Sequence, residues 1–364
     1  MHSSTFSFDE RFGELPWLRI LALMASIFFA FVVSMEASMH MLGYHATVLD
    51  SMDRWANERA RASHLGSRAL VLIGASRIQL GIDTDQLRMD SAMEPVQLAI
   101  DGSSFVPVLR SMANDPSFTG TVVVDYMPNI IESATSGGNS GPELYVRHFE
   151  SESTSGHAIF SLSKSEALIT GYVREHLRSY ADGGTPLTSL LARVLPREEA
   201  GQYLVTFPDR SRFGDYRLVS MPSFYYTRVA KNLGIDGSFD THAPNAEQLL
   251  RTKIESIRPS GNSNFILGAR YIKQLKQAIE AHGGRVLFVE MPTSGMVREI
   301  DRKRYPRSDF LDVFEREVGA RVLTSEDEPA LKNFTCPDGS HLDVRDRQKF
   351  TEALARSLGL RRQD

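Results

Sequence analysis

Between Arg19 and Glu36 the chain carries no charged side chain. The surrounding text, LPWLRILALMASIFFAFVVSMEAS over residues 15–38, holds an apolar stretch of about 20 residues, the length a helix needs to cross a bilayer. A core helix this long would show a polar stripe, and this one has almost none. Trp17 falls where an interfacial aromatic belongs. The main rival is a cleaved signal peptide, for which SMEASMHM offers a poor cleavage site. The expectation is an uncleaved anchor over 17–38, a short cytoplasmic tail at 1–16 and a polar, helical stalk at 39–67. Arg11 and Arg19 precede the run, while only Arg54 follows within about 20 residues. That bias puts the N-terminus in the cytoplasm and the bulk of the chain in the periplasm or an equivalent extracytoplasmic space.

Behind the anchor the chain has a regular rhythm. Short apolar runs bounded by Gly, Pro or Asp occur at RALVLIG (68–74), PVQLAID (95–101), GTVVVDYM (120–127), GRVLFVEMP (284–292) and ARVLT (320–324). Runs of this kind suit strands covered on both faces. Helical patterns separate them: SSFVPVLRSMAND after the second, ARYIKQLKQAIEAHGG before the fourth, and SDFLDVFEREVG before the fifth. A last helix opens near Asp343, a plausible N-cap, with Asp346 three residues on. Strand alternating with helix predicts an α/β fold, a three-layer α/β/α sandwich around a five-stranded parallel sheet. Its two pieces are 68–130 and 265–364. The stretch 131–264 breaks the rhythm and is predicted to be an insertion between the third and fourth strands. It includes a helical piece at 165–177 and a Tyr/Phe/Arg-rich region, FGDYRLVSMPSFYYTRVAKNLG. Insertions at strand C-terminal ends commonly shape ligand sites; a cover with no ligand role is the alternative.

The turn after the first strand, VLIGASRIQLGID, presents Ser76 beside Arg77. A serine alone says little. CPDGSHLD, between the last strand and the last helix, adds Asp338 and His341 three residues apart. A carboxylate at that spacing can hold imidazole Nδ1–H and leave Nε2 to take a proton from a serine. The topology puts this loop and the Ser76 turn at the same edge of the sheet. Oxyanion donors are sought at the same edge: the N–H of Ser76, the N–H of Gly102 after the second strand, and the amide of Asn129 after the third. Arg77 is a candidate for binding an anionic substrate group, with a structural ion pair as its other reading. Asp125, at a buried strand end, is read as pairing with an arginine. Cys336, the one cysteine, lacks any feature marking a nucleophile and permits no intrachain disulfide.

In order and placement these blocks resemble the SGNH (GDSL-like) hydrolase superfamily. Gly74-Ala75-Ser76 is similar to its G-D-S block, Gly102 to its second block, and Asp338-Gly339-Ser340-His341 to its D-x-x-H block. The third block, G-x-N-D in the family, reads Met127-Pro128-Asn129-Ile130, and Ala75 stands where the family has Asp. The resemblance covers about 68–130 and 284–358 and leaves the insertion unexplained. It implies a flavodoxin-like sandwich and a Ser76–His341–Asp338 acyl-ester site needing no cofactor. With the anchor, it implies similarity to membrane-bound proteins that add O-acetyl groups to exported polysaccharides or remove them. Partners implied are the bilayer, an acylated sugar polymer and a membrane-bound O-acyltransferase.

Two other readings stay open: a non-catalytic carbohydrate-binding or scaffold component of a membrane export machine, and a lipase-like enzyme with an apolar groove. A net charge of −4 with dispersed arginines gives no case for nucleic acid. The histidines lack metal-site spacing, so no metal is expected.

Overall fold

The computed structural model describes residues 16–136, 141–154, 171–173, 175–178, 202–235, 237 and 239–361. Almost all of the expected cytoplasmic tail, and most of the helical piece at 165–177, lie outside them.

Helix α1 (Trp17–Met41) carries the uncharged run, and its apolar side chains face outward: Phe28 and Phe29 are 68% and 69% exposed. It is the one helix among the described residues long and apolar enough to cross a membrane. Then follow α2 (Met52–Leu65), β1 (Ala69–Ile73), α3 (Ser76–Gly81), α4 (Thr84–Asp90), β2 (Glu94–Gln97), α5 (Val106–Ala113), β3 (Thr121–Asp125), α6 (Pro128–Glu132) and α7 (Gly141–Thr154). The insertion continues through β4 (Leu204–Thr206), β5 (Arg212–Gly214), α8 (Ser223–Asn232) and α9 (Ala246–Glu255). Finally come α10 (Ser263–Ala281), β6 (Arg285–Glu290), α11 (Gly295–Arg304), α12 (Leu311–Val318), β7 (Val322–Thr324) and α13 (Val344–Ser357).

The five predicted strands form one parallel sheet in the order β2-β1-β3-β6-β7. Their apolar runs are unbroken because both faces are covered. Val71, Ile73, Val122, Val124 and Phe288 point into a core shared with α2, α5, α10 and α12. Leu70, Leu72, Val123, Val289 and Leu323 point the other way, onto α3, α4 and α13. Successive residues on a strand face opposite sides, so each core takes every second one. The insertion forms a β4–β5 hairpin and a small third core, in which Val229 of α8, Leu250 of α9 and Ile300 of α11 are buried. Asp343 caps α13, its carboxylate accepting from Arg345 N.

The predicted stalk needs correction. From Met52 the chain is helix α2, packed into the body of the fold rather than standing clear of it. Trp55 is fully buried and its Nε1 donates to Leu98 O at 3.0 Å. Arg59, also buried, donates to Ser111 and contacts Asp115 at 3.1 Å. The segment looked like a stalk because its inward face is built from Trp55, two alanines and an arginine, which average to a polar composition.

Candidate active site

The C-terminal ends of the parallel strands meet at one edge, where ligands bind in open α/β sheets. β1 leaves this edge through Gly74 and Ala75, and Ser76 is the first residue of α3. Gly74 is needed for close approach: a Cβ there would lie 2.7 Å from Asp125 Cβ and 2.8 Å from Ile78 Cγ2. The turn is pressed against the end of β3, which fixes where Ser76 emerges.

The loop before α13 brings the base. Asp338 folds over its own turn, Oδ1 accepting from Ser340 N at 2.9 Å and His341 N at 2.8 Å. Its Oδ2 meets His341 Nδ1 at 2.7 Å, and His341 Nε2 meets Ser76 Oγ at 2.8 Å, across 265 residues of sequence. The network assigns the proton: Nδ1–H donates to the carboxylate, leaving Nε2 to accept from the serine hydroxyl. Burial alone would push the Asp338 carboxyl up. The His341 hydrogen bond and charge, the Ser340 N–H and the Arg228 cation overcome this and hold it at about 2. Asp338 is thus an ionised acceptor through the neutral range. The arrangement is a serine, a base in hydrogen-bond reach and a carboxylate orienting the base, which is what acyl transfer through a covalent intermediate requires.

Two side chains of the insertion complete the surroundings of Asp338. Tyr216 OH donates to Oδ2 at 3.1 Å and Arg228 Nε lies 3.4 Å from the same oxygen. Burial, reinforced by the Asp338 charge, pushes the Tyr216 phenol up, so it stays a donor. Tyr216 N also donates to Asp343 Oδ2, tying the insertion to the cap of α13. Neither residue was singled out from sequence. The one signal was the aromatic and arginine richness of the segment containing them.

Among the described residues, the backbone N–H groups of Ser76 and Gly102 meet no protein acceptor. Gly102 has φ +62 with open space where a Cβ would stand, a conformation that favours glycine. Asn129 is exposed at the start of α6 and lines a cleft of about 290 Å³ that it shares with Arg77, Tyr126 and Glu290. No hydrogen bond joins its amide to Ser76 or His341 among the described residues. Arg77 forms an ion pair with Asp301 at 3.4 Å. Asp125 accepts from Met291 N at 3.3 Å, while its Oδ2 has no hydrogen-bond partner. Burial pushes its carboxyl up to about 7 against the nearby Arg77 charge; the pairing predicted for it is proximity to Arg77, without a hydrogen bond. The Cys336 thiol is buried, donates to Pro292 O at 3.1 Å and is pushed up to about 12, chiefly by burial. It is a poor nucleophile at neutral pH. No group of three or more His, Cys, Asp or Glu among the described residues is arranged to hold a metal ion.

The fold defines a class: an α/β protein with a five-stranded parallel sheet and one apolar N-terminal helix. Comparison with protein-family models, with curated proteins and with solved structures finds no match.

Proposed function

We propose that this chain performs serine-dependent acyl-ester chemistry outside the cytoplasm, most concretely the transfer of O-acetyl groups to an exported polysaccharide or their removal. The observation that carries the reading is the continuous Ser76–His341–Asp338 chain, with contacts of 2.8 Å and 2.7 Å. Ser76 Oγ attacks the acyl carbonyl as His341 Nε2 takes its proton. The tetrahedral oxyanion is held by the N–H groups of Ser76 and Gly102, with the Asn129 amide as a further donor. Collapse expels the alcohol, which takes the proton back from His341 and leaves an acyl-Ser76. A sugar hydroxyl or water, deprotonated by His341, then releases the acyl group. No cofactor enters this cycle. The placement of Ser76 after β1, Gly102 after β2 and the Asp338–His341 loop before α13 supports membership of the SGNH-like sandwich class. Helix α1 supports an anchored chain, with its N-terminus cytoplasmic and a membrane-bound O-acyltransferase as one source of acyl groups.

The test is turnover of a chromogenic acetyl ester by the full chain, with and without acceptor oligosaccharides. Acceleration by an oligosaccharide with acetyl appearing on it marks a transferase, and unchanged release to water an esterase. No turnover, and no acyl adduct on Ser76 by mass spectrometry, would overturn the proposal.

A further inference from the structure

Arg228 stands between two environments. Its Nε faces Asp338 Oδ2 at 3.4 Å, yet its guanidinium makes no hydrogen bond among the described residues. The side chain is 29% exposed and lines an open cleft of about 430 Å³ along α8. Lys231, one turn further along the helix, lines the same cleft and has no ion-pair partner among the described residues. His242, whose Nε2 meets Ser223 Oγ at 3.2 Å, also lines the cleft, and among the described residues no carboxylate lines it. Tyr203 and Phe224 supply ring surface there, their centroids 5.6 Å apart, and both pack against Tyr216, the donor to Asp338.

Arg228 meets Asp338 on its inner side, yet its guanidinium makes no hydrogen bond among the described residues; beside Lys231, in a cleft whose described lining holds no acid, it is suited to an anionic group. Arginine's planar fork matches a carboxylate or a phosphate. Aromatic faces beside such cations suit the apolar face of a sugar ring, and the Thr227 hydroxyl, which donates to Ser223 O at 3.0 Å, can still accept from a sugar hydroxyl. We infer that this cleft binds a saccharide bearing a carboxylate or phosphate, its negative group held by Arg228 and Lys231. The identity of the sugar as acyl acceptor rests on the proposed function; its binding does not.

The experiment uses the full chain in detergent micelles as the Ser76→Ala variant, so that turnover plays no part. Binding of trigalacturonate, glucose 6-phosphate and maltotriose is measured by calorimetry. The charged sugars should bind, and more weakly as sodium chloride rises. Maltotriose should bind roughly tenfold more weakly or worse than trigalacturonate, the scale of one lost charge-assisted contact. Arg228→Gln and the exposed Lys231→Gln should each weaken binding of charged sugars by a similar factor, and Arg228→Lys should restore part of the loss. Maltotriose binding as tightly as trigalacturonate, no binding of either charged sugar, or charged-sugar binding unmoved in Lys231→Gln would overturn the inference. None of these results bears on ester turnover, which tests the catalytic proposal separately.

Discussion

A serine hydroxyl is a weak nucleophile in water, and what distinguishes Ser76 is an imidazole nitrogen 2.8 Å away. If the three residues act as a unit, Ser76→Ala or His341→Ala alone should cut ester turnover roughly 10³-fold or more, and the double variant should be little worse. Asp338→Asn should cost less than Ser76→Ala, because it perturbs only the orientation of the imidazole and the stabilisation of its cation. Both effects are read from kcat/KM. Asp338 also makes a prediction for folding. Its carboxyl lies at about 2, against an ordinary value of 3.8. A depressed acid contributes stability that is present above its unfolded value and lost as pH falls through the folded one. The melting temperature should therefore drop between about pH 4 and pH 2. Asp338→Asn should flatten that acid limb, as scanning calorimetry across the range would show. An unchanged limb would mean that Asp338 is not held low.

At the scale of elements, the body depends on segments that pattern alone undervalues. Helix α2 drives Trp55 fully into the core, and Trp55→Ala should cost about 3 kcal/mol or more of unfolding free energy. Arg210 precedes β5 and is fully buried at φ +66. Its Nε donates to Asp50 Oδ1 at 2.6 Å, and its Nη groups donate to Gln97 O at 2.6 Å and Ala99 O at 3.0 Å. It thereby ties the insertion to the end of β2. Arg210→Met would leave the Gln97 and Ala99 carbonyls without the arginine and Asp50 with only the Gln79 amide, and should cost about 3 kcal/mol in chemical denaturation. The five strands were legible because burial on both faces makes an unbroken apolar run, a local signal. Asp338 and His341 were legible because they are three residues apart on one turn. Tyr216 and Arg228 were not, because they reach Asp338 across more than a hundred residues without any periodic mark. Helix α2 was expected as a helix but placed in a stalk, because its buried face combines Trp55 with small residues and an arginine.

For the molecule as a whole, α1 and the body can be separated experimentally. The full chain should stay in the membrane fraction after a carbonate wash. A chain lacking residues 1–42 should be released to the soluble fraction and still unfold cooperatively, since β1 and its neighbours bury their cores without α1. Release of the full chain by carbonate would rule out an integral anchor.

The junction between the two parts is short. Helix α1 ends at Met41, and by His45 the chain is already bonded to the insertion, its N–H donating to Gln202 Oε1 at 2.8 Å. Thr47 and Val48 follow at once with bonds to Thr206. Three intervening residues reach at most about 10 Å. With α1 seated in a bilayer, the sheet edge that carries Ser76 has almost no radius in which to wander. Under the proposed acyl-ester chemistry, its search for substrate becomes two-dimensional, confined to a thin layer beside the lipid. A polymer emerging through the same membrane passes within that layer, while one adrift in bulk fluid meets the site only after first finding the surface.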